Sequence, residues 1–233
     1  MDIHKPKPWH GVREFVKEIG TIVIGVLIAL SAEAVVENLH ERRLSAEARE
    51  AIRDELRLDV DALNARLAIL PCKRRRLEEI TDLLNRAEAG EPFTPATEVG
   101  SPLWLELHTQ RWEAAMAGGR TSLLSSDEQR EFGRVYGPVQ NINKAQELEG
   151  ADWSRLRALN GLRRLSPEMI YGARIAVSEL RDTDILIEGG ALVARQVAEE
   201  LGIKSQARPL LQPGASGPHI PDICHPLTAA GDR

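Results

Sequence analysis

The residues in this chain that could do chemistry are scattered. They are the histidines His4, His10, His40, His108, His219 and His225, the two cysteines Cys72 and Cys224, and the acidic neighbours Glu78 with Glu79 and Glu199 with Glu200. No two histidines stand in the H-x-x-x-H spacing that turns both rings onto one helix face to hold a metal. His219, Cys224 and His225 would form a ligand set only with Cys72, which would take that cysteine out of any disulfide. Adjacent glutamates point in different directions around a helix, so neither acidic pair faces one substrate as acid and base, and each reads as a solvated face. No G-x-S-x-G elbow is present, and the glycine pairs Gly118 with Gly119 and Gly189 with Gly190 carry no phosphate-loop pattern; both read as helix punctuation. The expectation is no catalytic residue, no metal ligand and no cofactor, with an envelope hydrolase as the enzymatic alternative.

Two further groups carry charge or reactivity. An even pair of cysteines in an oxidising compartment predicts a Cys72–Cys224 disulfide, which would close a loop of about 150 residues and stabilise by several kcal/mol in the chain-entropy view. Two unrelated thiols are the alternative. Lys73, Arg74, Arg75 and Arg76 form the strongest basic cluster. They read as a solvated face, as ion pairs to an acidic neighbouring helix or, more sharply, as a docking patch for an acidic partner.

These groups need elements to position them, and the first element is apolar. From Ile19 to Ala32 the chain has no charge, and Ala34, Val35 and Val36 extend the run past Glu33. With Phe15 and Val16 included, residues 15–36 form a helix long enough for a hydrocarbon core of about 30 Å, with Lys17 snorkelling to the headgroups. Val12, Phe15, Val16 and Ile19 follow helical spacing, so residues 1–14 read as a short cytoplasmic or interfacial lead-in with Trp9 at headgroup depth. A cleaved signal segment, with Ala32, Glu33 and Ala34 as an A-x-A-like site, and a buried core helix are the alternatives. Arg13 and Lys17 stand closer to the apolar run than the arginines beyond it, which favours a cytoplasmic N-terminus and a periplasmic body. Thr21, Gly25, Ala29 and Glu33 recur every fourth residue on one helix face, where small side chains let two helices approach.

The remaining composition is helical: aromatics make up 4% of the chain, and Ala, Leu, Glu and Arg dominate. The formal charge is −5, of which the first eighteen residues contribute +1 (Lys5, Lys7, Arg13 and Lys17 against Asp2, Glu14 and Glu18), leaving an acidic remainder. Such a body lacks the basic stripe that nucleic-acid binding requires.

Leu56, Leu63, Leu70, Leu77 and Leu84 repeat every seven residues, with Val60 and Leu67 at alternate positions and Arg53 and Arg74 interrupting. Because the leucine register runs through Pro71 undisturbed, residues 37–89 are predicted as one long stalk helix kinked there, packed on the body's own helices rather than forming a free coiled coil. A Pro- and Gly-rich loop follows at 90–108, and a helical bundle at 109–202. Within that bundle a helix ends at Gly118 and Gly119. A second opens on the capping box of Ser125 and Glu128, and a third opens on Ser166 with Pro167 at its first position and buries Ile170, Ala173, Val177, Leu180, Val193 and Val197. Residues 203–233 form a Pro-rich tail. The whole is predicted to be all-α.

The opening REFVKEIGTIVIGVLIAL, Pro71 with Cys72, Trp112 with Ala115 and Gly119, Tyr136 and the late Cys224 together resemble a group of uncharacterised proteobacterial proteins with one N-terminal span. The resemblance covers most of the chain. It implies an inner-membrane anchor, a helical periplasmic body and the cysteine pair, and it implies no activity. The expected role is an interaction or scaffold module of the cell envelope whose partners are the lipid bilayer and either another protein or further copies. The alternative is a subunit of an oligomeric channel or ion-coupled assembly using Glu33 and the small-residue face.

Overall fold

A computed structural model describes residues 11–102, 104–205 and 222–228. Every regular element among them is helical: α1 Val12–Glu88, α2 Gln110–Ala117, α3 Ser126–Arg157 and α4 Pro167–Glu200, with 3-10 turns at Arg120–Leu123 and Asp222–Cys224. The protein is all-α, as its composition predicts.

One helix does two jobs. α1 runs unbroken for 77 residues, about 115 Å at the α-helical rise. Up to Leu44 none of its described residues is buried, and its apolar stretch is long and apolar enough to cross a membrane with no part covered by the body. A core-helix reading of that stretch is therefore untenable. Within it the Thr21 and Ser31 hydroxyls donate to the carbonyls of Lys17 and Leu27, so neither is left needing water. From Ser45 onward one face is buried, and the predicted leucines Leu56, Leu63, Leu70, Leu77 and Leu84 all lie in that face. The stalk drawn at 37–89 is, from Ser45 on, a full member of the bundle. Pro71 sits on the exposed side and α1 continues through it, as α3 continues through Pro138.

Side-chain pairs fix the directions of the three long helices. Arg49 reaches Glu128 and Arg66 reaches Glu149, so α1 and α3 run parallel. Arg174 pairs with Glu88 and Asp184 with Lys73, so α4 returns antiparallel. The caps form where the sequence places them. Ser125 and Glu128 complete a reciprocal capping box on α3, and the Ser166 hydroxyl accepts from Met169 N–H with Pro167 at the first turn of α4. Gly119 adopts φ 66°, the left-handed conformation that ends α2.

Two expectations about α4 are corrected. Gly189 and Gly190 do not end a helix but lie inside α4; a Cβ on Gly190 would stand 3.2 Å from the Ile142 side chain, so the missing side chain permits close packing on α3. Val193 is not in the core. The buried register runs through Leu180, Asp184, Ile187, Ala191, Ala194 and Val197, which turns Val193 outward.

The core falls into two apolar clusters. One, nearer the apolar end of α1, gathers Ile52, Leu56, Trp112, Phe132, Tyr136, Ile142 and Ile187; the other gathers Leu77, Ile80, Leu84, Trp153, Leu156, Val177, Leu180 and Ile223. Each fully buried large side chain contributes about 1.5–3 kcal/mol.

Candidate functional site

Between the two clusters the bundle buries charge. Arg66 on α1 donates to both carboxylate oxygens of Glu149 on α3, and Lys73, one heptad further along α1, donates to Glu149 and to Asp184 on α4. All four side chains are nearly sealed from solvent. Two cations meet two anions, so the layer is neutral, which is the condition under which buried ions are tolerated. Burial pushes the Asp184 carboxyl up and Lys73 pulls it back; Asp184 Oδ2 has no hydrogen-bond partner among the described residues. The lysine of the basic cluster is thus an inward-facing part of the core.

The rest of that cluster holds the chain's own C-terminal segment. Cys72 and Cys224, 152 positions apart in sequence, are joined by a disulfide with Cα atoms 4.8 Å apart. Beside it Arg75 donates to the Cys224 carbonyl at 2.5 Å, and Arg76 donates to the carbonyls of His225, Glu98 and Val99. Glu79, paired with Arg76, accepts from Leu227 N–H, and Thr97 N–H donates to the Leu227 carbonyl at 2.9 Å. Ile223 and Leu227 are buried in the second cluster. Arg74 pairs with Glu188 on α4. Lys73 and Arg76 are therefore closed to an outside partner, and Arg74 and Arg75, although half exposed, already have internal ones. Glu79, read from sequence as solvated, is a fastening residue, whereas Glu78 is exposed. The metal alternative requires a free Cys72, which the disulfide removes, and His219, which lies outside the described residues, as do Trp9, His4 and His10.

At the other end of the bundle a set of polar residues unpredicted from sequence holds the loop that leads into α2. Gln146 and Asn143 of α3 pair both amide faces with the backbones of Leu105 and Leu107. Asp59 of α1, 1% exposed, accepts from His108 N–H at 2.8 Å and lies 3.0 Å from His108 Nδ1. Glu55 accepts from Arg111 N–H at 2.7 Å, at the start of α2, and from the Tyr136 hydroxyl at 2.7 Å. Tyr136 in turn stacks on Trp112, with ring centroids 5.3 Å apart. Burial raises the Asp59 carboxyl to about 6 against the pull of His108, and burial with the Glu55 carboxylate holds the Tyr136 phenol protonated.

This cluster borders a groove of about 760 Å³ lined by residues that include Glu50, Asp54, Glu55, Leu58, His108 and Arg111. Asp59 and His108 are an acid–base pair at its edge, and no serine, threonine or cysteine is among the lining residues, so the groove offers no hydroxyl or thiol nucleophile beside its carboxylates. No group of three or more metal-ligating side chains occurs among the described residues.

The exposed surface carries two further features. Thr21, Gly25, Ala29 and Glu33 all stand on the uncovered part of α1. On α4 the pattern is inverted: Asp184 is 3% exposed, whereas its neighbours Ile185, Leu186, Leu192 and Val193 are 71, 49, 44 and 49% exposed. Gly189 lies amid them with no atom within 4 Å of where a Cβ would stand.

Compared with known proteins, the chain matches no protein family, no curated protein and no solved structure.

Proposed function

We propose that this chain is a membrane-anchored interaction module of the cell envelope. The apolar part of α1 sits in the bacterial inner membrane, the N-terminus is cytoplasmic, and the bundle stands in the periplasm. The disulfide and the apolar helix support this address together, because the first suits an oxidising compartment and the second suits a bilayer.

The observation that carries the interaction reading is the inverted face of α4. A helix that buries an aspartate while presenting Ile185, Leu186, Leu192 and Val193 to solvent has its free apolar stripe aimed at something outside the fold. The occupant this reading favours is a second copy of the chain. Copies anchored in one bilayer carry the stripe at the same height and in the same direction, so a two-fold axis along the membrane normal pairs α4 with α4. Gly189 at mid-stripe lets the two backbones approach. Four half-exposed side chains fall short of the ~800 Å² per partner of a stable soluble interface. Confinement to the membrane supplies the rest by raising the effective concentration.

The test is the mass of the full chain in detergent and in nanodiscs by light scattering. The wild type is expected to form dimers, and Leu186→Arg combined with Val193→Arg is expected to leave monomers of unchanged helical content. A wild type that is monomeric in both media, or a double variant that dimerises like the wild type, would refute pairing through α4.

A further inference from the structure

Where α1 leaves its apolar stretch and meets the bundle, the chain forms a groove of about 490 Å³ lined by Asn38, Glu41, Arg42, Ser45, Arg49, Ser122 and Leu123. From this geometry we infer that the groove binds the headgroup of a zwitterionic aminophospholipid, with its phosphate on the Arg42 side and its primary ammonium at Glu41. This inference rests on the membrane reading above.

Position is the first argument. α1 is continuous, so height above Val36, the last residue of the proposed span, follows from the helical rise: about 3 Å for Asn38, 8 Å for Glu41, 9 Å for Arg42 and 14 Å for Ser45. The headgroup layer extends roughly 5–8 Å beyond the hydrocarbon on each face. Asn38, Glu41 and Arg42 therefore place their side chains in or just above that layer, and the groove opens where a lipid head would stand.

Construction is the second argument. The far wall is built, not loose. Ser45 donates to the Leu123 carbonyl at 3.0 Å, which pins the 3-10 turn to α1. Arg49 grips Glu128 through Nε at 2.5 Å and Nη2 at 3.2 Å, and its Nη2 also reaches Ser45. That pairing pulls Glu128 down to about 2, so the Arg49–Glu128 wall keeps both charges across the physiological range. At the mouth the situation is reversed, because Arg42 and Glu41 have no ion-pair partner among the described residues. Their neighbour Arg43 is taken by Glu47.

Chemistry is the third argument. An unpaired guanidinium beside the Asn38 amide suits a phosphodiester. Free phosphate or an anionic lipid would satisfy Arg42 but would set a negative charge against Glu41. A head that carries both a phosphate and an ammonium satisfies both charges. Choline cannot donate a hydrogen bond to the carboxylate, whereas a primary ammonium can.

The experiment is native mass spectrometry of the full chain extracted from nanodiscs that contain phosphatidylethanolamine, phosphatidylcholine and phosphatidylglycerol in equal parts, with carbonate extraction of the parent membranes run alongside. Preferential retention of phosphatidylethanolamine is expected. Arg42→Ala should lower its retention roughly tenfold, as loss of a charge-assisted contact does. Glu41→Gln should abolish the preference over phosphatidylglycerol while leaving total lipid unchanged. Equal retention of all three lipids, or variants that keep the wild-type complement, would overturn the inference. Soluble glycerophosphoethanolamine displacing the lipid at equal concentration would assign the groove to a soluble ligand and overturn it too. Release of the protein by carbonate would sink the anchor itself, a failure distinct from that of the groove.

Discussion

The two apolar clusters of the bundle enclose loops of similar difficulty and fasten them in opposite ways. Around Trp112 and Tyr136, the segment from Leu105 to Arg111 is held by side chains that reach across to its backbone: Gln146, Asn143, Asp59 and Glu55. Around Trp153 and Leu180, the segment at 222–228 is held by a covalent bond, with Arg75 and Arg76 on its carbonyls. The difference follows from what each segment brings. The first leads straight into α2, whose Trp112 and Ala115 are buried, so its ordering is shared with a helix that packs anyway. The second brings only Ile223 and Leu227, worth about 1.5–3 kcal/mol each, against an ordering cost of ~1–2 kcal/mol for each of its residues. Two side chains do not cover that cost. The disulfide offsets a large part of the remainder by keeping the segment near its site even when the chain unfolds.

Breaking that staple is the harshest test of the comparison. Cys224→Ser should cost as much as ~5 kcal/mol in the chain-entropy view for a loop of 152 residues. Urea unfolding measures the loss, and hydrogen exchange locates it. Protection should fall at Leu77–Leu84 and at residues 222–228, while the amides around Ile52 and Tyr136 keep theirs. Equal loosening at both ends would mean that the two clusters are one cooperative unit and that the contrast has no energetic content.

The layer between the clusters is where they must couple. Lys73→Ala leaves Glu149 and Asp184 to share one cation, and removing one partner of a buried ionic group typically costs about 4 kcal/mol. Both clusters should lose protection together here, unlike the cysteine variant. Lys73→Met combined with Asp184→Leu keeps the layer neutral through Arg66 and Glu149 and should recover most of the loss. A double variant as unstable as Lys73→Ala would show that shape, not charge balance, sets the cost.

How far this was legible in the sequence depends on which residues carried the pattern. The leucine heptad, the Ser125 and Ser166 caps and the stop at Gly119 are local signals, and the structure places each where the spacing implies. The ion layer was not legible, although its period was. Ile52, Asp59, Arg66, Lys73 and Ile80 form a second buried seam with the same repeat of seven, but its middle three members are charged, so hydropathy marks them as solvent-facing. The same substitution of charge for apolar residue at Asp184 misled the register of α4 and sent Val193 to the wrong side. The polar fasteners Glu55, Asp59, Asn143 and Gln146 had no signal at all, because each acts on backbone distant in sequence. The basic cluster was visible as a cluster, but its partners, main-chain carbonyls of residues some 149 positions away, were not.

The gentlest probe sharpens the comparison from the side-chain-fastened end. Asp59 holds His108 while buried, and its carboxyl rises from an ordinary 3.8 to about 6 in the fold. Because the folded chain then holds a proton more tightly than the unfolded one, the sign is fixed: this group's contribution favours the fold below about pH 4 and is lost as pH rises to about 6, a change of about 3 kcal/mol. Glu128, shifted down by Arg49, acts with the opposite sign and mainly below pH 4.5, and burial of Asp184 adds to the Asp59 trend, so the wild-type profile alone mixes several groups. The difference between wild type and Asp59→Asn isolates the one. Denaturant midpoints taken from pH 4 to 7 should converge toward the lower end, where the protonated carboxyl resembles the amide, and separate toward the upper, with the variant the less pH-dependent of the two. Parallel profiles would mean that Asp59 titrates as it does in water, and that the loop before α2 is held by packing around Trp112 instead of by the carboxylate beneath it.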